Sequence, residues 1–261
     1  MKTYTQNILQ VLFICGVIGF FALWQRSSNA WDFIVYTQQW PEAACVDIND
    51  TKSSHHHICT MTRNIQTWTI HGIWPSRFDG DGPFYCDNSY PFQESEITNL
   101  ENIMDNKWPN LIIGTAKTSF WKHEWTKHGT CALNLLDLDC EHKYFKMGLD
   151  LNKRFDYKHI LEDRNITPSE TRYKLADMRE AIESFTKSKI NMQCIFAKDK
   201  SEQAIVQVEV CLDKKFNTID CKTRYKAIGI LPSWDDIPYN PVFESCSENL
   251  PTQYLPFRYV N

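Results

Sequence analysis

The stretch FWKHEWTKHGTC, residues 120–131, together with the stretch WTIHGIWP, residues 68–75, is the most informative part of this chain. The two stretches carry three imidazoles, a carboxylate and ammonium groups among rigid aromatic side chains. Such groups can move two protons at a phosphate while they offset the charge of that phosphate. The pattern therefore indicates acid–base chemistry on a phosphodiester.

Residues 120–129 are predicted to form a helix whose polar groups share one face. At about 100° per residue, His123, Glu124, Lys127 and His128 fall within a single arc, and Trp125 lies off that arc. A solvated face with a salt-bridged glutamate is the ordinary interpretation of such a helix. The flanking tryptophans argue against a surface helix, so we expect a functional cluster here, with Trp125 in the core.

His71 is predicted to lie on a short strand. Strand alternation places its neighbours on two faces, with Thr69 and His71 on one and Trp68, Ile70 and Gly72 on the other. A single strand histidine is ordinarily structural. Gly72 favours a functional role, because a glycine permits the close approach of another backbone.

Two histidine patterns resemble metal sites, and we favour another interpretation for both. His123 and His128 are five residues apart, whereas zincins carry two histidines four apart on one helix face. The run His55-His56-His57 lies in a hydrophilic loop, where adjacent residues rarely form a closed site. We therefore expect no metal and no other cofactor.

The first thirty residues resemble a secretory signal peptide. Lys2 precedes an apolar run over residues 8–24, and small residues ending at Ala30 form a cleavage site. An uncleaved anchor is the alternative, since such a run is at the short end for a membrane span. We predict a signal peptide at 1–30 and a single domain at 31–261, with no stable membrane association after cleavage.

The charge of the chain limits its partners. Removal of residues 1–30 takes away Lys2 and Arg26 and no acidic residue, so the formal charge of −4 becomes −6. Proteins that bind long nucleic acids normally carry a basic stripe, which this sequence lacks. RNA binding should therefore be local, and it should strengthen in acid as the eight histidines become charged.

Nine cysteines remain after Cys15 leaves with the signal peptide, which indicates disulfides in an oxidising compartment. An odd number leaves at least one thiol unpaired or bonded to another chain. Eight cysteines allow 105 pairings, so counting alone does not choose among them. Two sequons, at Asn49 and Asn165, are predicted glycosylation sites on exposed loops.

Hydrophobic periodicity predicts an α+β fold, with an antiparallel sheet flanked by helices. The predicted strands are Trp31–Gln39, Gln66–Ile73, Asn191–Phe196, Ala204–Cys211 and Tyr225–Leu231. One helix is predicted over Glu94–Trp108, with an apolar stripe of Ile97, Leu100, Ile103 and Met104. Another should begin at a capping box, residues 167–170, and bury Leu175, Met178 and Ile182.

Residues 69–75 and 120–131 resemble the two active-site signatures of the ribonuclease T2 family. The similarity includes WDF at residues 31–33 and QQWP at residues 38–41. The resemblance implies a ribonuclease T2-like, disulfide-stabilised fold, with His71 and His128 as the acid/base pair. It favours His128 as the base and His71 as the acid in the first step, which forms a 2′,3′-cyclic phosphate. The nucleophile is then the substrate's own 2′-hydroxyl, so DNA should be refused.

The same resemblance implies roles for the neighbouring residues. Glu124 would act beside the two histidines as a catalytic residue, while Lys127 and His123 would bind the phosphate and its transition state. Trp74 would stack a base, which tolerates any base identity. Ser76 stands where some fungal relatives carry an adenine-selecting aspartate, so we expect low base specificity.

The resemblance also implies four disulfides: Cys45–Cys59, Cys86–Cys131, Cys194–Cys246 and Cys211–Cys221. Cys140 is then left without an assigned partner. One hypothesis for this thiol is a disulfide-linked dimer.

Two functions are carried forward. The first is a secreted, metal-independent endoribonuclease acting on single-stranded RNA, with the lysosomal or endosomal lumen as the alternative location. The second is a secreted glycoprotein ligand that acts mainly by binding a glycan-binding receptor on an inherited nuclease scaffold. The sequons and the odd cysteine favour the second, whereas the filled catalytic positions favour the first.

Overall fold

The computed structural model describes residues 29–50, 59, 61, 63–80, 82–221 and 243–258. The chain divides after Ala30 into two units, and every element described below belongs to the second, Trp31–Asn261. Three predictions lie outside the described residues: the signal peptide up to residue 28, the histidine run at 55–57 and the strand at Tyr225–Leu231.

The described residues form strands and helices that are largely segregated along the chain. The strands are β1 (Phe33–Gln39), β2 (Thr69–Ser76), β3 (Arg172–Tyr173), β4 (Asn191–Phe196), β5 (Gln203–Leu212), β6 (Thr218–Ile219), β7 (Glu244–Ser245) and β8 (Thr252–Gln253). The helices are α1 (Pro41–Asp50), α2 (Glu101–Lys107), α3 (Ser119–Lys127), α4 (Glu141–Arg154), α5 (Tyr157–Glu162) and α6 (Leu175–Thr186). Short 3-10 turns cover Glu94–Ile97 and Gly129–Cys131.

The strands join one sheet in the order β2-β1-β5-β4-β7, with antiparallel pairing throughout that path. β6 also pairs antiparallel with β5, and β8 pairs with both β3 and β5. Within the described part of the chain, the β5–β8 pair is the parallel exception. The predicted α+β fold with an antiparallel sheet is confirmed.

The two central strands, β1 and β5, are buried along their whole length. Ile34 and Tyr36 of β1 belong to the main core, and the Tyr36 hydroxyl donates to the Gly148 carbonyl of α4 at 3.5 Å. Phe33 and Val35 point to the opposite face and pack in a second, smaller cluster with Trp74. The site described below lies on this second face.

The continuous helix predicted over Glu94–Trp108 is wrong. A 3-10 turn and α2 replace it: the Leu100 amide donates to the Ile97 carbonyl three residues back, and α-helical bonding begins only with α2. Ile103, placed on the predicted apolar stripe, is exposed, while Met104 is buried.

The capping box predicted at residues 167–170 is also wrong, because α6 begins only at Leu175. Tertiary contacts use the intervening segment instead. The Ser169 amide donates to the Tyr254 carbonyl, and β3 pairs with β8. Leu175, Met178 and Ile182 are nevertheless buried on one helix face, as the periodicity predicts.

Four disulfides cross-link the domain, and their pairs are those implied by the resemblance: Cys45–Cys59, Cys86–Cys131, Cys194–Cys246 and Cys211–Cys221. Cys140 is a free, exposed thiol, so its disulfide-linked dimer stays a prediction. None of the helices in the described ranges is long and apolar enough to span a bilayer.

Candidate active site

His71 is the extra residue of a β-bulge. β1 pairs Thr37 with Gly72 and Gln38 with Ile70, which leaves His71 without a partner in the ladder. Its carbonyl instead accepts a hydrogen bond from the Trp108 indole at 3.1 Å. Bulges re-aim side chains, and this one moves Gly72 off the face that simple alternation predicts.

Two of the four residues of the predicted polar face, Glu124 and His128, are buried, and His123 and Lys127 are half-buried, so a fully solvated face is excluded. Glu124 is 1% exposed and His128 is 5% exposed, and Trp125 lies in the core as predicted. The helix ends at Lys127, and the His128 amide still donates to the Glu124 carbonyl. The buried Tyr144 hydroxyl contacts carbonyls of both β2 and α3 and so ties the two elements together.

Trp74 joins the predicted catalytic groups. Its ring meets the His71 imidazole edge-on at a centroid distance of 5.0 Å and stacks on the His128 imidazole at 5.3 Å. Its Nε1 donates to Oε2 of Glu124 at 3.0 Å. The structure thus brings His71, His128 and Glu124 together around one indole.

Gly72 lies beneath this contact. A Cβ at residue 72 would lie 2.1 Å from both Oε2 of Glu124 and Nε1 of Trp74. The sequence predicts that this glycine admits another backbone, but the groups it admits are two side chains. Any larger residue here would push apart the indole and the carboxyl.

His123 and Lys127 complete the helix side of the cluster. The ring of His123 lies 6.5 Å from that of His128, and the Lys127 ammonium lies 5.7 Å from the ring centre of Phe84. Lys127 is also close enough to influence the charges of His71 and Glu124. A cation at this place can oppose negative charge that develops on a bound phosphate.

Burial changes the acid strength of two groups in opposite directions. It raises the pKa of Glu124 to about 8, although the Trp74 indole and the Lys127 charge oppose this shift. It lowers the pKa of His71 to about 4, opposed by the hydrogen bond of its Nδ1 to the Gln207 side-chain oxygen and assisted by the charge of Lys127. Both groups are therefore neutral near pH 6, and Lys127 supplies a positive charge beside them.

Sequence reasoning missed two aromatic walls of the site. Phe84 meets the His128 ring at 5.6 Å and Phe120 meets the His71 ring at 5.8 Å. Phe120 lies one helical turn before Glu124, so its position on α3 was a usable signal. Phe84 comes from a loop that the Cys86–Cys131 disulfide holds against the end of α3, and no local pattern marks it.

Sequence reasoning also missed a polar floor on the same face of the sheet. It consists of six side chains on β1, β4 and β5: Thr37, Gln39, Asn191, Gln193, Gln207 and Glu209. Their register places Gln39 and Gln193 on either side of Gln207, and Thr37 and Asn191 on either side of Glu209. The alternation of Gln207 and Glu209 within the apolar strand β5 was the available signal.

The two sequon asparagines are exposed but differ in setting. Asn165 lies in a turn with φ of 59°, which fits the predicted exposed loop. Asn49 instead lies in the last turn of α1, and its side-chain oxygen accepts from the Cys59 amide at 2.9 Å. A loop at Asn49 is therefore wrong, and glycosylation of either residue stays a prediction.

Comparison with known proteins identifies the family of this site. Residues 31–221 match the model of the Ribonuclease T2 family. The chain is 33% identical to Ribonuclease Oy of Magallana gigas over 82% of this chain and 99% of that protein. It is 37% identical to Extracellular ribonuclease LE of Solanum lycopersicum over 72% of this chain and 79% of that protein.

A solved structure agrees with these matches. The crystal structure of RNase NT in complex with 5′-AMP superimposes with a TM-score of 0.67 at 30% identity, covering 87% of this chain and all of that one. The resemblance carried by residues 69–75 and 120–131 is thus confirmed over most of the described domain. This chain belongs to the Ribonuclease T2 family, and its enzyme class is that of a ribonuclease T2-type endoribonuclease.

Proposed function

We propose that this protein is a secreted endoribonuclease that cleaves single-stranded RNA without a metal ion, through a 2′,3′-cyclic phosphate and with low base specificity. Family membership supports the ribonuclease activity. The observation that carries the mechanism is the contact of both His71 and His128 with the single indole of Trp74, beside Glu124.

In the first step, His128 takes the proton of the 2′-hydroxyl as that oxygen attacks phosphorus. The bond from phosphorus to the 5′-oxygen breaks, and the imidazolium of His71 gives its proton to that leaving oxygen. In the second step the roles exchange, and water opens the cyclic phosphate to a 3′-phosphate. Each histidine returns to its starting protonation state, so no cofactor is required.

Glu124 and Lys127 are assigned to the crowded phosphate. Because burial holds the Glu124 carboxyl neutral below about pH 8, it can donate a hydrogen bond to a phosphate oxygen instead of repelling it. The ammonium of Lys127 opposes the charge that grows on the pentacoordinate phosphorus. His123 binds phosphate beside His128.

Trp74 is partly exposed and is proposed to stack a base as well as to support the carboxyl. Stacking depends little on base identity, which supports the low base specificity. DNA lacks the 2′-hydroxyl nucleophile and is not a substrate. The 5′-AMP bound to RNase NT supports recognition of RNA nucleotides by this fold.

Secretion is proposed from three features: the sequence of residues 1–30, four disulfides, and exposed sequon asparagines at positions 49 and 165. Disulfides of this kind form in oxidising compartments. The lumen of lysosomes or endosomes has the same redox character and remains the alternative destination. Cleavage after Ala30 would release the Trp31–Asn261 unit.

A second candidate function is a glycoprotein ligand for a glycan-binding receptor, linked as a dimer through Cys140. The exposed sequons and the exposed thiol favour it. A His71→Phe/His128→Phe variant that reproduces every cellular effect of the wild type would support this candidate over the enzyme.

The enzyme proposal is tested by digesting four homopolymeric RNAs at pH 4 to 8 in the presence of a chelator, with analysis of the product ends. Cyclic phosphate ends are expected from all four polymers. His71→Phe or His128→Phe should lower the rate at least about 100-fold, the usual contribution of an acid/base group. His159→Phe is the control, since that histidine is 80% exposed and remote from the cluster. Full activity of either active-site variant would falsify the assigned roles.

A further inference from the structure

The floor of the site contains a chain of side-chain hydrogen bonds that starts at His71. Nδ1 of His71 lies 2.6 Å from Oε1 of Gln207. Nε2 of Gln207 donates to Oε1 of Gln193 at 2.6 Å, and Nε2 of Gln193 donates to Oε1 of Glu209 at 3.3 Å. Four side chains on three different strands are thereby linked in series.

The carboxylate at the end of this chain sets its direction. Glu209 is 1% exposed and receives donors from Asn191, Gln193 and Gln207, and a carboxylate can only accept hydrogen bonds. Gln193 must therefore present its nitrogen to Glu209 and its oxygen to Gln207. Gln207 must in turn present its nitrogen to Gln193 and its oxygen to His71.

We propose that Glu209, acting through Gln193 and Gln207, holds His71 with its proton on Nδ1 and its Nε2 directed to substrate. Glu209 is then a positioning residue for the acid/base step, although it touches neither the substrate nor the imidazole. This inference rests on the proposed role of His71. It explains why Nε2 of His71, and not Nδ1, is the ring nitrogen that exchanges a proton with the substrate.

The fixed direction suits a histidine that acts as an acid and then as a base. When the imidazolium of His71 gives up its Nε2 proton, the Nδ1 proton stays bonded to Gln207. When Nε2 takes a proton from water in the second step, the same bond remains. Neither step requires the amide of Gln207 to turn, so the network needs no rearrangement between the two half-reactions.

A reversed chain would have the opposite consequence. If Gln207 presented its nitrogen to His71, the neutral ring would carry its proton on Nε2, and the imidazolium would face a donor at Nδ1. The charged form would then be less stable. The other ionisable groups around His71 are Lys127 and the neutral Glu124 on α3, together with His128 at the end of that helix. The direction of the two amides is set by Glu209 and not by these groups.

Glu209→Gln tests the proposal because an amide of the same size can accept or donate. We expect the ¹⁵N spectrum of His71 to change from the Nδ1–H form to a mixture of both tautomers. We also expect kcat to fall roughly fivefold, which corresponds to the loss of about one net hydrogen bond, with KM unchanged. The alkaline limb of the pH–activity profile should move to lower pH, because the imidazolium is less stable.

A swapped variant, Gln193→Glu/Glu209→Gln, provides the rescue. It keeps one buried carboxylate, leaves an acceptor for Gln207 and restores the direction of the chain. The His71 tautomer and the pH profile should therefore return toward those of the wild type. Glu141→Gln is the matched control, because it also replaces a buried carboxyl, at 5% exposure, in contact with Gln93 outside the site.

A wild-type protein with the proton of His71 on Nε2 would overturn the inference, as would a folded Glu209→Gln variant with an unchanged tautomer. If Glu209→Gln does not fold, the swapped variant and Gln207→Glu decide the question. Gln207→Glu should keep the Nδ1–H form and move the alkaline limb to higher pH. An inactive wild type would count against the proposed function, whereas the ¹⁵N spectrum would still test the tautomer.

Discussion

The indole of Trp74 donates to the buried carboxyl of Glu124 across the bare backbone of Gly72, at 3.0 Å. This contact joins a strand motif and a helix motif that are about fifty residues apart in the chain. It also places Glu124 beside the indole that touches both imidazoles. The geometry of the reacting groups thus depends on a position that carries no side chain.

Gly72→Ala should therefore abolish most of the activity. The added methyl would lie 2.1 Å from Oε2 of Glu124 and Nε1 of Trp74, so both groups must move. Displacement of a catalytic group by about 1 Å costs on the order of 100-fold in rate. Gly80→Ala is the control, since a Cβ there has no heavy atom within 4 Å. Steady-state kinetics with RNA measure the effect, and equal rates for both variants would contradict the argument.

Glu124→Gln should make the stability of the protein less sensitive to alkaline pH. Because burial raises the pKa of Glu124 to about 8, the fold favours the neutral carboxyl. The contribution of Glu124 to the free energy of unfolding is fully present below about pH 4.5. As pH rises to about 8, this contribution falls by on the order of 4 kcal/mol. Urea unfolding at pH 5 and pH 8 should show that the free energy of unfolding falls less for the variant than for the wild type between the two pH values. The exposed Glu180→Gln should show no such effect, and a constant difference between Glu124→Gln and wild type would refute the assignment.

The parts of this structure that local sequence determines were predictable. The burial of Trp125 and the grouping of Glu124 with His128 follow from helical periodicity and from the tryptophans around them. The core positions Leu175, Met178 and Ile182 were predictable for the same reason. In each case the apolar pattern and the final contacts agree.

Other features depend on residues distant in sequence and were not predictable in that way. The bulge at His71 exists only in the pairing of β2 with β1, so strand alternation misplaced Gly72. The capping box predicted at residues 167–170 does not form, because the segment before α6 pairs as β3 with the distant strand β8. The polar floor required the register of three strands, although Gln207 and Glu209 alternate visibly within β5.

Lys127→Met should shift the pH–activity profile and lower its maximum. The Lys127 charge depresses the pKa values of both His71 and Glu124, so its removal raises them. His71 then keeps its acidic proton to higher pH, and the alkaline limb of the profile moves upward. The maximum falls because the transition-state charge loses a partner, by roughly 100-fold. Profiles of kcat/KM from pH 4 to 8 measure both effects. The exposed Lys122→Met on the same helix should change neither, and a shift of the limb to lower pH would contradict the depression of the His71 pKa by Lys127.

The Cys86–Cys131 disulfide should matter more for activity than a disulfide of similar loop length elsewhere. It holds the loop that carries Phe84 against His128, where the Tyr85 amide also donates to the Lys127 carbonyl at 2.9 Å. Its sequence separation of 45 is close to the 52 of Cys194–Cys246. Replacing either pair by alanine should therefore cost a similar free energy of unfolding, roughly 3 to 4 kcal/mol.

Activity separates the two alanine double variants. Loss of Cys86–Cys131 frees the end of α3 and the aromatic wall at Phe84, so kcat should fall on the order of tenfold below the melting transition. Loss of Cys194–Cys246 leaves those contacts in place and should lower kcat much less. Urea unfolding and RNA cleavage at 25 °C are measured on the same preparations. Equal losses of kcat would show that the two disulfides act through global stability alone and that the loop does not position His128.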